Sequence, residues 1–153
     1  MPISLELQEQ MANVLTKVED EIRAQYDSGN NVFTGSTIVT NYFRLRLSGE
    51  DREHFEVAFL DSAHRLITTE RMFSGTIDSA AVYPREIVKT ALQHNARAII
   101  LAHNHPSGSS IPSQADIKIT HRIKEAAQLV ELAVLDHIIV GSDACSMAKQ
   151  GHL

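Results

Sequence analysis

Ala98-Ile99-Ile100-Leu101-Ala102-His103-Asn104-His105-Pro106 is the stretch on which the fold turns. Ala98 to Ala102 are apolar on both faces of an extended chain, which fits a strand buried in the middle of a sheet covered on both sides. Two histidines sit at the end of that strand. Side chains two residues apart on a strand point to one side, so His103 and His105 can converge on one ion while Asn104 faces away. Pro106 and the loop Ser107-Gly108-Ser109-Ser110-Ile111-Pro112 then turn the chain, and the helix that follows returns Asp116 to the same point.

Two imidazoles and a carboxylate are ligands for a divalent cation, and they leave a tetrahedral zinc with its fourth position open to water. An open position implies chemistry rather than scaffolding. With 8 histidines and 4 prolines in 153 residues, HxHP followed by Asp at this offset is expected by accident on the order of once in two thousand such chains. The competing reading is structural: two partly exposed histidines at a strand end, with Ser113 and Asp116 as a capping pair of the S-x-x-D type. Two imidazoles closing a buried strand need partners, which favours the ligand reading for His103 and His105. For Ser113, cap and functional residue stand level.

Outward from this centre, the apolar positions Ala115, Ile119, Ile123, Ala126, Ala127 and Val130 fall among charges at helical spacing. Leu132 to Val140 is strand-like, and Gly141-Ser142-Asp143 turns into a short strand at Cys145 to Met147. Upstream, Phe55, Val57 and Phe59 alternate in a strand from His54 to Leu60, and a hairpin returns through Leu66 and Ile67. Gly75-Thr76 is a turn. Pro84 opens a helix carrying Ile87, Val88, Ala91 and Leu92, which ends at Asn95. Leu7, Met11, Val14, Leu15, Val18 and Ile22 form one helical stripe, stopping near Tyr26 before Asp27-Ser28-Gly29-Asn30-Asn31. A second helix is expected from Ser36 to Leu47. The expected fold is α/β, a mixed sheet with helices on both sides, with residues 1–31 as an N-terminal helical arm and residues 32–153 as the domain.

Composition narrows the function. A net charge of -5 gives no general attraction to a phosphate backbone, so nucleic-acid binding would need a local patch, of which Arg44, Arg46 and Arg52 are the nearest approach. Cys145 is the only cysteine, so no internal disulfide forms, and it reads as core filler. The N-terminus lacks the basic and apolar regions of a secretory signal, and no apolar run approaches the roughly 20 residues of a spanning helix. A cytoplasmic protein without membrane contact is expected.

Hydrolysis at a metal-activated water also needs a carboxylate to shuttle protons to the leaving amine. Glu53, Glu56, Glu70 and Glu86 are the candidates, and spacing does not choose between them. Asp136-His137 reads either as a pair orienting a ligand or as a satisfied core histidine, with the core reading favoured. Arg85 could line a groove, although Pro84-Arg85-Glu86 fits a helix start better.

Asp51-Arg52-Glu53-His54-Phe55, Gly75-Thr76, Pro84-Arg85-Glu86, His103-Asn104-His105-Pro106-Ser107-Gly108, Pro112-Ser113, Asp116 and Asp136-His137-Ile138-Ile139-Val140-Gly141 occur in an order that resembles the RadC-like proteins of the JAB/MPN (JAMM) metalloprotease superfamily. The resemblance covers roughly residues 36 to 153. It implies a cytidine-deaminase-like α/β fold, one zinc ion per chain on His103, His105 and Asp116, and hydrolysis of amide or isopeptide bonds. It further implies Glu53 as the acid/base and Ser113 as the residue that helps polarise the scissile carbonyl. Longer RadC proteins carry a helix-hairpin-helix segment in front, and this chain resembles the short stand-alone forms of prophage regions.

Three functions compete at this point. The leading one is a zinc-dependent peptidase or isopeptidase acting on a protein or peptide substrate, with a homodimer allowed. The second is a nucleic-acid-associated accessory protein with a structural or vestigial metal site, disfavoured by net charge. The third is a non-haem iron site, which also uses two histidines and a carboxylate; no second cofactor motif accompanies it.

Overall fold

In the computed structural model, which describes residues 3–27, 37–76 and 82–153, the chain runs α1 (Leu5–Asp27), α2 (Thr37–Leu47), β1 (His54–Leu60), β2 (Leu66–Ser74), α3 (Pro84–Gln93), β3 (Ala98–Asn104), α4 (Gln114–Gln128), β4 (Ala133–Val140) and β5 (Ala144–Ser146). The strands form one sheet in the order β2-β1-β3-β4-β5. The β1–β2, β1–β3 and β4–β5 pairs are antiparallel, while β3 and β4 are parallel. A parallel pair needs a crossover, and α4 supplies it. The architecture is therefore a mixed sheet flanked by helices, of the JAB/MPN-like type.

Every residue of β1 and β3 is buried, because both faces of the sheet centre are covered. On one face Ala58, Leu60, Ala98, Ile100, Ala102, Ile138 and Val140 meet Val39, Tyr42, Phe43 and Leu47 of α2. On the other, Phe55, Val57, Phe59, Ile99 and Leu101 meet Ile87 and Ala91 of α3 and Ile119, Ile123 and Ala127 of α4. The period-2 alternation of the strands thus sorts even-numbered side chains of β1 and β3 to the α2 face and odd-numbered ones to the α3/α4 face. Sealing Ile99 or Ile100 from water contributes about 1.5–3 kcal/mol each. A charge at either position would break the layer it belongs to.

Several boundaries differ from expectation. β2 continues past Ile67 to Ser74 and is an edge strand of mixed burial with irregular register against β1, so it lacks the alternation that marks a strand in sequence. Leu132 falls just before β4 and is buried. The turn formers Ser28 to Asn31, the start of the second helix at Ser36 and the division between residues 31 and 32 lie outside the described residues.

The stripe of α1 is only partly covered. Leu7 is 46% and Val14 45% exposed, whereas Val18 packs on the α2-side core. The reason is that α1 rests on α2 rather than on the sheet, where Glu19 pairs with Arg46 at 3.0 Å. Arg46 in turn pairs with the buried Glu56 of β1 at 2.7 Å. Among the described residues, no helix is long and apolar enough to cross a membrane.

Candidate metal centre

β1 and β3 pair with Phe55 opposite His103. Continued toward the start of β1, that register sets His54 beside Asn104 and Glu53 across from His105. Both histidines are odd-numbered and face α4, whose N-terminus carries Asp116. Ser113 caps that helix: its hydroxyl accepts from the Asp116 N–H at 3.0 Å, and its own N–H donates to Asp116 Oδ2 at 2.7 Å. The capping box is complete, so the cap reading of Ser113 holds, and the cap itself aims the Asp116 carboxylate.

Three donor groups converge as a result. His103 Nε2 lies 3.0 Å from Asp116 Oδ1, His105 Nε2 lies 3.1 Å from Asp116 Oδ2, and the two Nε2 atoms are 2.9 Å apart. His103, His105 and Asp116 form a group that could hold a metal ion. Tetrahedral ligands at zinc-like bond lengths stand about 3.3 Å from one another, close to these separations.

The far side of each imidazole is also held. Thr120 Oγ1 donates to the Asp116 carbonyl at 2.6 Å, so it accepts from His137 Nδ1, also at 2.6 Å. His137 Nε2 then accepts from His103 Nδ1 at 2.7 Å. His137 is fully buried, and burial, reinforced by the neighbouring His103, pushes its pKa well below the ordinary histidine value, so it is neutral. A neutral His137 with Nδ1 protonated leaves His103 with its proton on Nδ1 and a lone pair on Nε2. His105 Nδ1 donates to the Ser109 carbonyl at 2.9 Å, which turns its Nε2 to the same point.

Lone pairs and a carboxylate this close repel unless positive charge lies among them, either a proton or a cation. The hydrogen bond to Asp116, opposed by burial, raises the His105 pKa, which favours a proton at this point. Burial opposes the Asp116 charge, but the adjoining His103 and His105 imidazoles and the Ser113 N–H outweigh it and hold the carboxyl well below the usual carboxylate range. The donor set fits a divalent cation.

Of the four candidate glutamates, Glu53 lines the pocket shared with His105, Ser113 and Asp116, alongside Arg52, Gly75 and Thr76. Its negative charge is near enough to contribute to the raised His105 pKa. Glu56 faces the opposite side of the sheet, 1% exposed, and is held by Arg46 and by Arg71 at 3.2 Å. Glu70 sits 3.4 Å from His94, and Glu86 lies in the first turn of α3. Strand parity separates Glu53 from Glu56.

Other residues sort as follows. His137 is both core residue and support for His103; its parallel pairing opposite Leu101 puts it on the histidine face, a relation invisible until β3 and β4 are paired. Pro84 does start α3, and Arg85 lies on a groove with Val88 and Leu92, away from the metal group. Cys145 is buried, and burial pushes its thiol pKa up, as suits core filler. Arg46 is engaged by Glu19 and Glu56, and Arg44 lies 3.9 Å from Asp143, so two of the three arginines of the nearest basic patch face acids.

Fold and site together define an α/β protein whose central strand ends at a two-histidine, one-aspartate group suited to a metal. Residues 33–152 match the RadC-like JAB domain, and the chain belongs to that family. It is 47% identical to a UPF0758 protein of Vibrio cholerae serotype O1, over 92% of this chain and 88% of that one. It is 49% identical to a UPF0758 protein of Cellvibrio japonicus over 94% of this chain and 64% of the relative. For a UPF0758 protein of a Marinomonas species the figures are 54% identity over 78% and 54%. Against the last two, the chain spans only about half to two thirds of the curated relative.

Proposed function

We propose that the protein is a zinc-dependent metallohydrolase of the peptidase or isopeptidase type, with His103, His105 and Asp116 as ligands, Glu53 as general acid/base and Ser113 as a donor to the scissile carbonyl. The observation that carries this reading is that Glu53 shares one open pocket, about 840 Å³, with His105, Ser113 and Asp116. When bound, zinc supplies Lewis-acid polarisation and a water acidic enough to ionise near neutral pH.

The chain's own groups do the rest. The His137 and Ser109 contacts keep both imidazoles turned with Nε2 inward. Glu53 takes the proton of the attacking water and delivers it to the leaving amine, a contribution of about 10²–10⁴-fold. Ser113 already accepts from the Asp116 N–H, so its hydroxyl proton is directed outward to donate to the carbonyl oxygen on which charge develops. The pocket's breadth suits an extended peptide segment rather than a small molecule fully enclosed.

The test is metal analysis together with an internally quenched peptide library. Wild type and Glu53→Gln should each bind one zinc per chain and His105→Ala none; wild type should cleave, Glu53→Gln about 10²–10⁴-fold more slowly, and His105→Ala not at all. A zinc-loaded wild type that cleaves nothing, or a Glu53→Gln protein that cleaves as fast, defeats the reading. A nucleic-acid role finds less support, since Arg44 and Arg46 face acids and the net charge is -5.

A further inference from the structure

Asn104, the residue between the two histidines, points to the other side of the sheet and is 3% exposed. Its side chain nevertheless reaches the chain segment that carries Glu53. Asn104 Oδ1 accepts from the His54 N–H at 2.7 Å, and Asn104 Nδ2 donates to the Arg52 carbonyl at 2.9 Å. These are the backbone groups immediately before and after Glu53. From the opposite side, the Gly75 N–H donates to the Glu53 carbonyl at 2.9 Å. Glu53 itself lies one residue outside β1, where the regular ladder to β3 has ended.

We infer that Asn104 is a positioning residue for Glu53: its carboxamide continues the β1–β3 pairing beyond the strand end and fixes the backbone from which the Glu53 carboxylate enters the metal pocket. This rests on the reading of Glu53 as the acid/base. The need for asparagine is chemical. One side chain must present an acceptor and a donor side by side, and the carboxamide does both at this length. Aspartate keeps the acceptor but sets an oxygen against the Arg52 carbonyl. Leucine has the shape and neither function.

The same residue also explains a coupling within the motif. His103 and His105 project to the metal face of β3, and Asn104, by alternation, projects to the other. One three-residue segment thereby holds two ligands directly and the general base through its backbone. Their relative placement is then set by a single strand end, which is the precision a proton transfer at hydrogen-bond distance requires.

The experiment compares zinc-loaded wild type with Asn104→Leu and Asn104→Asp by four measurements. Zinc content should remain one per chain in both variants, because Asn104 is not a ligand. Amide hydrogen exchange at His54 should quicken about tenfold or more in Asn104→Leu and less in Asn104→Asp, with the Ile100 and Leu101 amides unchanged. Crystals of the variants should show the Glu53 carboxylate displaced. On quenched peptides cleaved by wild type, kcat should fall about 10²-fold with KM within about twofold. Adding Asn104→Leu to Glu53→Gln should then change kcat less than about twofold.

Unchanged His54 exchange with Glu53 in its wild-type position overturns the inference. So does an equal loss of kcat in the Glu53→Gln background. If wild type cleaves no peptide while His54 exchange and Glu53 placement still respond to Asn104, the metallohydrolase reading fails and the positioning role stands. Should Asn104→Leu not fold, Asn104→Asp carries the same comparisons.

Discussion

His103 Nδ1 donates to His137 Nε2 across 2.7 Å inside the sheet–helix interface. This bond decides which nitrogen of His103 faces Asp116, and it works only while His137 stays neutral and Thr120 accepts its other proton. Supports of this kind typically affect metal affinity by about 10–100-fold. We expect His137→Ala to bind one zinc per chain with affinity lower by that factor, measured by competition with a chromophoric chelator. Thr120→Val keeps the shape but leaves a buried His137 N–H without its acceptor, at a cost of about 1–3 kcal/mol in chemical denaturation.

Metal affinity should depend on pH with a definite sign. The raised His105 pKa favours a proton at the position a cation would take. Zinc must displace it, so affinity falls as pH drops through a value above 6.5 and levels off above it. Chelator competition between pH 5.5 and 8.5 would show this, and a flat profile contradicts it.

Folding stability of the metal-free protein carries opposing contributions. His105, with its pKa raised on folding, adds stability that is complete below 6.5 and disappears as pH rises through the folded value. His137, with its pKa lowered by burial, does the reverse: its penalty is absent above 6.5 and grows as pH falls and the unfolded chain takes up a proton. Asp116, lowered on folding, contributes above the ordinary carboxylate pKa and loses that only in strong acid. His137→Gln removes the middle contribution. Its stability should decline less than that of wild type between pH 6.5 and 5, read by urea denaturation.

Glu56 and Glu53 are three residues apart and should behave as different kinds of residue. Glu56 is buried between Arg46 and Arg71, and removing one partner of such a pair leaves charge unbalanced. Arg46 and Arg71 keep some solvent contact, so the loss in Glu56→Ala is about 1–3 kcal/mol rather than the full penalty of a sealed pair. Zinc binding should be unchanged. Glu53→Gln, on the pocket wall, should leave Tm within about 2 °C of wild type.

How far these roles were legible in sequence depends on the range of the interaction. The buried strand from Ala98, the helix start at Ser113 and the convergence of His103 with His105 follow from local periodicity and capping, and the structure has all three. Choosing Glu53 over Glu56 from the residues themselves needs the β1–β3 register, which no local pattern carries. Parity along β1 sends Glu53 and Glu56 to opposite faces, but only that register says which face carries the histidines. His137 was readable as core, but its bond to His103 depends on parallel pairing across the α4 crossover. Strand alternation turns Asn104 away from the metal face, as the structure has it; that it reaches the backbone around Glu53 depends on where β1 begins. The exposed Leu7 and Val14 show the converse, an amphipathic stripe whose partner surface does not extend along its whole length.

Gly141 closes the loop behind the metal ligands. The His105 N–H donates to the Val140 carbonyl at 2.8 Å, and the Ser142 N–H donates to the Gly108 carbonyl at 2.8 Å, so the loop from Pro106 to Ser109 lies directly against the turn after β4. A methyl group at residue 141 would run into the Gly108 carbonyl and the Ser109 backbone, both main chain and unable to swing aside. The Ser109 carbonyl is the acceptor that orients His105. Gly141→Ala must therefore shift that loop and with it the imidazole, although it touches no ligand. The expected outcome is zinc affinity lower by about 10-fold or more, while the exchange protection of the β3 amides Ile100 and Leu101 is unchanged. Wild-type affinity in Gly141→Ala would mean that His105 is oriented by something other than the Ser109 carbonyl.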